Sequence, residues 1–298
     1  MNWSAYNASL KNRYDMTVWI TEDIESVWME QDRPKIWGQA PKYSDKAIEI
    51  CLKIGYLFDI PLRGTQGLVT SFFKMQEIDL PVPDYSRLSR RGRTLDIDLG
   101  YRPPVGKKID VVIDSSGLKV YGEGEWKVRK HGNEKRRTWR KIHLSSDPDT
   151  MEIVGCELTG NRVADGRVLP KLVPEYVKKA IADGAYDWKG LYKFCERNGT
   201  TLLVPPRRTA RACVDEDDVT KLSTRDKYII DIEQSSLEEW KEESGYHRRS
   251  LSETQFYRWK HCISETLRAR NFNNQKTEAR IKASILNTMA QLGIPRTA

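Results

Sequence analysis

Four residues of different chemistry lie at helical spacing between positions 246 and 260. Tyr246, Arg249, Glu253 and Lys260 are three, four and seven positions apart, so on an α-helix they fall within an arc of roughly 60°. A core-facing stripe would be apolar, and a solvated face would not need the tyrosine. A functional helix face is therefore one hypothesis for this segment.

A structural interpretation of the same residues competes with it. The segment Ser250-Leu251-Ser252-Glu253 fits a capping box, in which serine and glutamate bind free amides at a helix start. Arg249 and Glu253 also have the spacing of an i,i+4 ion pair, which contributes a few tenths of a kcal/mol. On this segment alone the structural interpretation is favoured, and the rest of the chain has to decide.

Two aspartates carry the same type of chemistry elsewhere in the chain. Asp114 and Asp183 each follow three apolar residues, which predicts a carboxylate at the end of a buried strand, where α/β sheets place ligand sites. Gly117 and Gly184 are expected to let the backbone turn away from each carboxylate. Although a strand-ending aspartate is more often a turn former or a helix cap, three convergent carboxylates (with Glu253) can hold two divalent metals. Two such metals support phosphodiester displacement.

A basic segment follows the first aspartate. It is predicted to be a hairpin of two strands that places phosphate backbone beside the metals, and its cations are Lys127, Arg129, Lys130, Lys135, Arg136, Arg137, Arg140 and Lys141. Trp126 and Trp139 have the option of stacking on bases, but core packing is the commoner role of aromatics in strands. A net charge of +8 over 298 residues also favours a polyanionic partner.

The first 100 residues have a helical pattern. Residues 44–58 predict a helix capped by Ser44, residues 62–76 a second helix, and residues 85–93 a third helix after a proline-rich turn. The third helix carries Arg87, Arg90, Arg91 and Arg93. This order fits a helix-turn-helix DNA reader, and the alternative is a small helical bundle with a solvated basic edge.

The pattern changes after residue 100. Residues 101–108 are rich in proline and glycine and predict a linker. Strands come first and then alternate with helices, which predicts a mixed α/β sheet flanked by helices. Strands are predicted within residues 109–121, 125–131, 136–144, 151–160, 179–187 and 201–206, and helices at 166–177, 188–199 and 276–295. Ser115 and Ser116 are expected in a turn.

The composition also argues against several classes of protein, namely zinc-binding, disulfide-rich and membrane proteins. Five scattered cysteines without a CxxC pair, and four dispersed histidines, argue against a zinc site and a disulfide framework. No segment has eighteen successive apolar residues and the first fifteen residues lack a hydrophobic signal core. A cytoplasmic location without a membrane partner is expected.

Together these motifs resemble a known family. The chain is similar to the DDE transposases of bacterial insertion sequences, in the large group related to insertion sequences four and five. The resemblance rests on the pattern Y-x2-R-x3-E-x6-K from Tyr246 to Lys260, on IDSSGLKVY and IADGAYD around the two aspartates, and on LTGNRVADGRVLP and NNQKTEARIKASILN.

The resemblance implies a ribonuclease-H-like catalytic core over residues 109–298, preceded by a helix-turn-helix-like DNA-binding domain over residues 1–100. It implies Asp114, Asp183 and Glu253 as catalytic ligands of Mg²⁺ or Mn²⁺, with two ions. In this family the glutamate lies within a helix, which favours the shared face over the helix cap. Arg249, Lys260 and Tyr246 are then expected to face DNA.

The implied activity is metal-assisted cleavage at a transposon end, followed by attack of the freed 3′-hydroxyl on target DNA. The implied partners are double-stranded terminal inverted repeats, target DNA and a second copy of the chain in a synaptic complex. Two alternatives stay open: a metal-dependent nuclease that does not transpose, and a DNA-binding regulator that has lost catalysis.

Overall fold

The computed structural model describes residues 3–20, 23–30, 42–120, 139–213 and 222–293. The helices in chain order are α1 (Trp3–Asn12), α2 (Met16–Trp19), α3 (Ile24–Trp28), α4 (Asp45–Leu57), α5 (Leu62–Met75), α6 (Tyr85–Arg91), α7 (Leu169–Leu172), α8 (Lys189–Arg197), α9 (Thr224–Gln234), α10 (Leu237–Ser244), α11 (Leu251–Arg258) and α12 (Phe272–Gln291). The strands are β1 (Ile109–Val120), β2 (Trp139–Ser146), β3 (Ile153–Gly160), β4 (Val177–Ile181), β5 (Thr201–Leu203) and β6 (Thr266–Leu267).

The chain forms two compact units. One comprises Met1–Gly100, Val120–Gly122 and Trp259–Ala298, and the other comprises Tyr101–Lys119 and Glu123–Arg258. In the described residues, no helix combines the length and the apolar character needed to cross a membrane.

The first unit is built on α4. The predicted cap is confirmed, because the Ser44 hydroxyl accepts a hydrogen bond from the Ala47 amide at 3.0 Å. Helices α4 and α5 approach closely at Gly55, where a Cβ atom would lie 2.5 Å from the Thr65 hydroxyl. The predicted C-terminal core helix is also confirmed as α12, whose buried Glu278 and Lys282 form an ion pair at 2.8 Å.

The second unit is a mixed sheet flanked by helices, as the pattern predicts. Its strand order is β3-β2-β1-β4-β5; β1 and β2, and β2 and β3, are antiparallel, whereas β4 is parallel to both β1 and β5. Because side chains alternate along a strand, one sheet face packs residues such as Val111 and Ala180 against α7 and α8. The other face packs Val112 and Ile181 against Trp240 of α10.

The structure corrects the expectation of a turn after Asp114. Strand β1 continues to Val120, and Ser115 and Ser116 pair with His143 and Ile142 of β2. The antiparallel ladder to β2 holds β1 extended beyond the point where its pairing with β4 ends. Gly117 therefore makes room for a neighbour instead of a turn, since a Cβ atom there would lie 3.3 Å from the Trp139 ring.

The helix predicted over residues 166–177 is mostly wrong. Only Leu169–Leu172 is α-helical, after a 3₁₀ turn at Asp165–Arg167. Pro170 is tolerated in the first turn of this helix. Val173 does not have helical geometry (φ −117°, ψ 88°), because Pro174 disfavours the α conformation of the residue that precedes it.

Candidate active site

Asp114 and Asp183 lie at corresponding positions of two neighbouring parallel strands. Val112 of β1 is the register partner of Ile181 of β4, and each aspartate follows two residues later. The alternation of side chains places both carboxylates on the sheet face that carries Val112 and Ile181. The two aspartates predicted from separate motifs are therefore brought to one edge and one face of the sheet.

The carboxylate of Asp114 is held by three donors. Its Oδ2 accepts hydrogen bonds from Arg249 Nη2 at 3.1 Å and from the Ser252 hydroxyl at 2.9 Å. Its Oδ1 accepts one from the Ser115 amide at 2.8 Å. The side chain is 15% exposed, so the carboxylate is fixed in orientation yet still reachable from solvent.

Asp183 has a capping role as well as its place beside Asp114. Its Oδ1 accepts a hydrogen bond from the Ala185 amide at 2.9 Å and caps the 3₁₀ turn Gly184–Tyr186. Among the described residues, no donor binds its Oδ2. The turn-former interpretation of this aspartate and a ligand role are thus compatible, because each uses a different oxygen.

The segment from Tyr246 to Ile263 contains three kinds of helix instead of one. Tyr246–Ser250 is a 3₁₀ helix, Leu251–Arg258 is α11, and Trp259–Ile263 is a π-helical turn. Glu253 lies in the first turn of α11 and accepts a hydrogen bond from Arg249 Nη1 at 3.1 Å. The Ser250 hydroxyl instead donates to the His247 carbonyl at 2.9 Å, so no capping box to Glu253 is seen among the described hydrogen bonds.

Arg249 links two of the three predicted carboxylates. Its two terminal nitrogens bind Asp114 and Glu253, each at 3.1 Å. The Glu253 side chain is 70% exposed, whereas the Arg249 side chain is only 25% exposed. The guanidinium therefore holds the solvent-facing glutamate on the side where Asp114 lies.

Tyr246 anchors the 3₁₀ helix to the sheet beside the aspartates. Its ring packs at a centroid distance of 6.0 Å from the Trp240 ring, against the cluster that contains Val112 and Ile181. Burial raises the pKa of the Tyr246 phenol; Arg249 opposes this shift, while Asp183 and Asp114 reinforce it. The tyrosine thus lies within electrostatic range of both aspartates.

The other predicted DNA-binding residues have varied surroundings. Lys260 is exposed on the π-helical turn. Arg91 is engaged by Asp45 and by the Tyr43 carbonyl, and Arg87 lies 5.3 Å above the Tyr43 ring. Arg90 and Arg93 are exposed, Arg140 is half-buried on β2, and Lys141 of β2 binds Asp165 at 3.0 Å. The remaining predicted cations lie outside the described residues: Lys127, Arg129, Lys130, Lys135, Arg136 and Arg137.

Sequence reasoning missed two neighbours of the aspartates, Ser252 and Tyr186. Tyr186 is 1% exposed, and its hydroxyl has no partner in the described part of the chain. Burial raises the pKa of this phenol, and Asp165, Asp114 and Asp183 raise it further. Its place in the motif ADGAYD, three residues after Asp183, was the only signal in the sequence.

The carboxylate oxygens at this edge of the sheet are of the type that a hard divalent cation binds. Carboxylate oxygens are the ligands such cations prefer, and Asp183 keeps one oxygen without a donor. In the described ranges, however, no three acidic, histidine or cysteine side chains are close enough together to hold a metal ion. Glu253 is bound to Arg249 instead, so a site with all three carboxylates requires this glutamate to exchange its guanidinium partner for the metal.

Comparison with known families assigns the class of protein. Two family models, both described as a transposase DDE domain, match residues 11–123 and residues 106–288, and the second match alone spans more than half of the chain. The chain belongs to the DDE transposase family. It is thus a DDE-type transposase, an enzyme that cleaves and joins DNA strands, and the family generally depends on divalent metals.

One solved structure with detectable similarity is the piggyBac transposase in a synaptic complex with hairpin DNA, determined by cryo-electron microscopy. It is 12% identical to this chain, and the match covers 94% of this chain and 73% of that chain with a TM-score of 0.41.

Proposed function

We propose that the protein is the transposase of a bacterial insertion sequence in the group related to insertion sequences four and five, with a ribonuclease-H-like catalytic core. The Y-x2-R-x3-E-x6-K pattern at residues 246–260 supports the group. The mixed sheet with antiparallel β3-β2-β1 and parallel β4 and β5 supports the core.

Asp114, Asp183 and Glu253 are the catalytic residues in this proposal, and they hold Mg²⁺ or Mn²⁺. The observation that supports this proposal best is that Asp114 and Asp183 lie on one face of adjacent parallel strands. In addition, Arg249 binds both Asp114 and Glu253. When bound, two divalent ions stabilise the charge that develops on the attacking and leaving oxygens of a phosphodiester displacement.

The chain's own residues prepare this edge for a DNA strand. Ser252 and Ser115 orient Asp114 by hydrogen bonds. The Ser252 bond comes from its hydroxyl and the Ser115 bond from its backbone amide. The proposed mechanism needs no covalent enzyme intermediate, so neither serine is assigned a nucleophilic role, and water and then a DNA 3′-hydroxyl are the attacking groups. Arg249 carries a positive charge between two carboxylates, and exchange of these partners would make its guanidinium available to a phosphate.

The proposed partners are the terminal inverted repeats and the target DNA, with a homodimer forming the synaptic complex. Residues 1–100 are the proposed DNA-binding domain, residues 101–108 the linker and residues 109–298 the catalytic domain. Helices α4, α5 and α6 supply the three consecutive helices of a helix-turn-helix-like arrangement, and the exposed Arg90 and Arg93 are its DNA-facing cations.

Alanine variants at the three carboxylates test the proposal. Asp114→Ala, Asp183→Ala and Glu253→Ala should each abolish Mg²⁺- or Mn²⁺-dependent cleavage of a transposon-end duplex. Binding of the same duplex, measured by fluorescence anisotropy without metal, should be retained. Asp149→Ala is the control, because this carboxylate is bound by Arg248 and has no part in the proposed site.

The products decide between transposition and simple cleavage. A labelled end joined to a target plasmid by the wild-type protein supports a transposase, whereas cleavage without joined products would indicate a nuclease. Full cleavage by any one of the three alanine variants would remove that residue from the catalytic set.

A further inference from the structure

The loop that follows β5 carries three exposed arginines at the same edge of the sheet as Asp183. Residues 205–211, here called the arginine loop, contain Arg207, Arg208 and Arg211. Strand β5 is parallel to β4, and the Ala182 amide donates to the Leu203 carbonyl at 3.1 Å. The arginine loop therefore leaves the sheet next to the point where Asp183 leaves β4.

The loop also lies against the turn that Asp183 caps. A Cβ atom on Gly184 would be 3.7 Å from the Pro205 carbonyl oxygen. Two residues beyond the loop, the Cys213 sulfur lies 3.5 Å from Lys189 Nζ, which brings a fourth exposed cation near the loop. Four exposed cations thus belong to the two segments that follow β5 and the Asp183 turn.

A buried ion pair between Asp187 and Arg225 anchors the arginine loop. Asp187 accepts hydrogen bonds from Arg225 Nε at 2.6 Å and Arg225 Nη2 at 2.9 Å, and also from the Arg207 backbone amide at 3.0 Å. The Cys213 amide donates to Asp226 at 3.1 Å. These anchors engage backbone amides, so the loop is fixed while its arginine side chains stay exposed.

Within the part of the chain that the structure describes, the three guanidinium groups form no internal ion pairs. In the described ranges, no carboxylate lies within ion-pair distance of Arg207, Arg208 or Arg211; the one hydrogen bond from an Arg211 terminal nitrogen goes to the Ala210 carbonyl at 3.1 Å. Exposed arginines on a fixed backbone bind phosphate oxygens through charge-assisted hydrogen bonds. A partner with regularly spaced phosphates therefore fits this surface.

We infer that the arginine loop, together with Lys189, binds the phosphate backbone of the DNA strand that flanks the cleavage position on the Asp183 side. The inference rests on the proposed function, because it assigns a DNA contact to the same site. It adds residues that none of the sequence motifs singled out, and it assigns them backbone binding without base recognition.

A salt titration with matched charge variants tests the inference. The double variant Arg208→Gln/Arg211→Gln removes two charges from the arginine loop. The control Lys107→Gln/Lys178→Gln removes two charges from exposed side chains at the opposite ends of β1 and β4. The full-length proteins are titrated with a labelled random-sequence duplex by fluorescence anisotropy at several KCl concentrations without divalent metal.

The expected result is a loss of salt dependence confined to the loop variant. Each lost phosphate contact lowers the slope of log Kd against log salt by about 0.9 for duplex DNA, so the loop variant should lose about 1.8 and the control much less. Equal slopes for the loop variant and the control would overturn the inference while leaving the proposed function intact. Absence of DNA binding by the wild-type protein would overturn both.

Discussion

The Arg249 guanidinium donates a hydrogen bond to the Asp114 carboxylate over 3.1 Å, although the two residues are 135 positions apart in the chain. The same guanidinium binds Glu253 four residues further on. A basic residue of the 246–260 pattern therefore connects two of the three carboxylates that the pattern and the strand motifs identify separately. Substitutions of Arg249 and Glu253 should therefore show separately how the arginine neutralises the carboxylates and how the carboxylates bind a metal.

The first prediction concerns the charge of Glu253. Glu253→Gln keeps the shape and an acceptor oxygen but removes the negative charge that binds a divalent cation. We expect cleavage to fall at least about 100-fold, equivalent to about 2.7 kcal/mol in the barrier, with poor rescue by high metal. DNA binding without metal should stay close to wild type. Normal cleavage and strand transfer by this variant would contradict a catalytic role for the residue.

The second prediction is that Arg249 and a metal compete for the same carboxylates. Arg249→Ala removes two partly exposed ion pairs, so Mn²⁺ affinity measured by calorimetry should rise by roughly 2- to 30-fold, because such pairs contribute about 0.2–1 kcal/mol each. Cleavage should nevertheless fall, since the variant loses its DNA-facing cation.

Arg248 provides the matched control for that variant. It is the neighbouring arginine but binds Asp110 and Asp149, which lie outside the proposed metal site. Arg248→Ala should leave Mn²⁺ affinity unchanged. If Arg249→Ala weakens Mn²⁺ binding instead, the guanidinium supports the metal site and does not compete for it.

The third prediction identifies Ser252 as a positioning residue for Asp114. Ser252 is 4% exposed and its hydroxyl donates to Asp114 at 2.9 Å. Ser252→Ala should lower the free energy of unfolding by about 1 kcal/mol. It should also weaken Mn²⁺ binding, and with it cleavage, by roughly 10-fold, the lower end of the effect typical of groups that orient metal ligands.

The exposed Ser250 tests whether that effect is specific. Its hydroxyl donates to the His247 carbonyl, so Ser250→Ala should change Mn²⁺ affinity very little. If Ser252→Ala loses stability without any change in Mn²⁺ affinity, Ser252 contributes to the stability of the fold and does not position Asp114 for the metal.

The fourth prediction concerns the buried pair beneath the arginine loop. The Asp187 side chain is fully buried and binds Arg225 at 2.6 Å. Burial alone would raise the pKa of Asp187, but hydrogen bonds from Arg225 and the Arg207 amide, with both arginine charges, lower it overall. Asp187→Asn leaves the Arg225 charge without its anion and should cost about 3 kcal/mol of unfolding free energy, since breaking a buried pair costs about 3–5 kcal/mol.

An exposed pair gives the comparison for urea denaturation. Lys241 and Glu238 lie 3.0 Å apart, but the Glu238 side chain is 75% exposed. Glu238→Gln should therefore change the unfolding free energy by less than about 0.5 kcal/mol. Equal effects of the two substitutions would show that the Asp187 pair does not hold the loop.

Local patterns predicted some contacts of the site and could not predict others. The i,i+4 spacing of Arg249 and Glu253 is local, and their ion pair is observed. The strand motifs likewise placed Asp114 and Asp183 after apolar residues, and the register of β1 and β4 aligns them. The Ser252 bond to Asp114 joins residues 138 positions apart, so it depends on how α11 packs near the sheet, which no local spacing encodes.

The continuation of β1 was missed for a related reason. A serine pair followed by glycine favours a turn when only local propensity is considered. The antiparallel ladder pairs Ser115, Ser116 and Gly117 with residues of β2, and this tertiary contact overrides the local preference. The arginine loop was also missed, because the exposure of its side chains is a property of the folded chain.

The last prediction is a pH dependence that originates at His143. This residue of β2 is fully buried, and burial lowers its pKa to about 4, with Asp165 opposing the shift and Lys141 adding to it. Its Nε2 lies 2.8 Å from the Thr159 hydroxyl, and its Nδ1 lies 3.5 Å from Asp165. Its cross-strand neighbours are Ser115 and Glu157.

The sign of the effect follows from the lowered pKa. The unfolded chain binds a proton at this histidine below about pH 6.5, whereas the folded chain resists protonation until about pH 4. The neutral, buried histidine therefore contributes stability above pH 6.5, and this contribution is lost as the pH falls from about 6.5 towards 4. Between pH 7.5 and pH 5.0 the expected loss from this group is about 2 kcal/mol.

Urea denaturation at pH 7.5 and pH 5.0 measures this loss. His143→Gln has no imidazole to protonate, so its stability should fall about 2 kcal/mol less between the two pH values than that of the wild type, whatever its stability at pH 7.5. His247→Gln is the control because His247 is exposed, and it should follow the wild-type pH dependence. If His143→Gln loses as much stability on acidification as the wild type does, carboxylate protonation accounts for the acid sensitivity and His143 is already tolerated in its charged form.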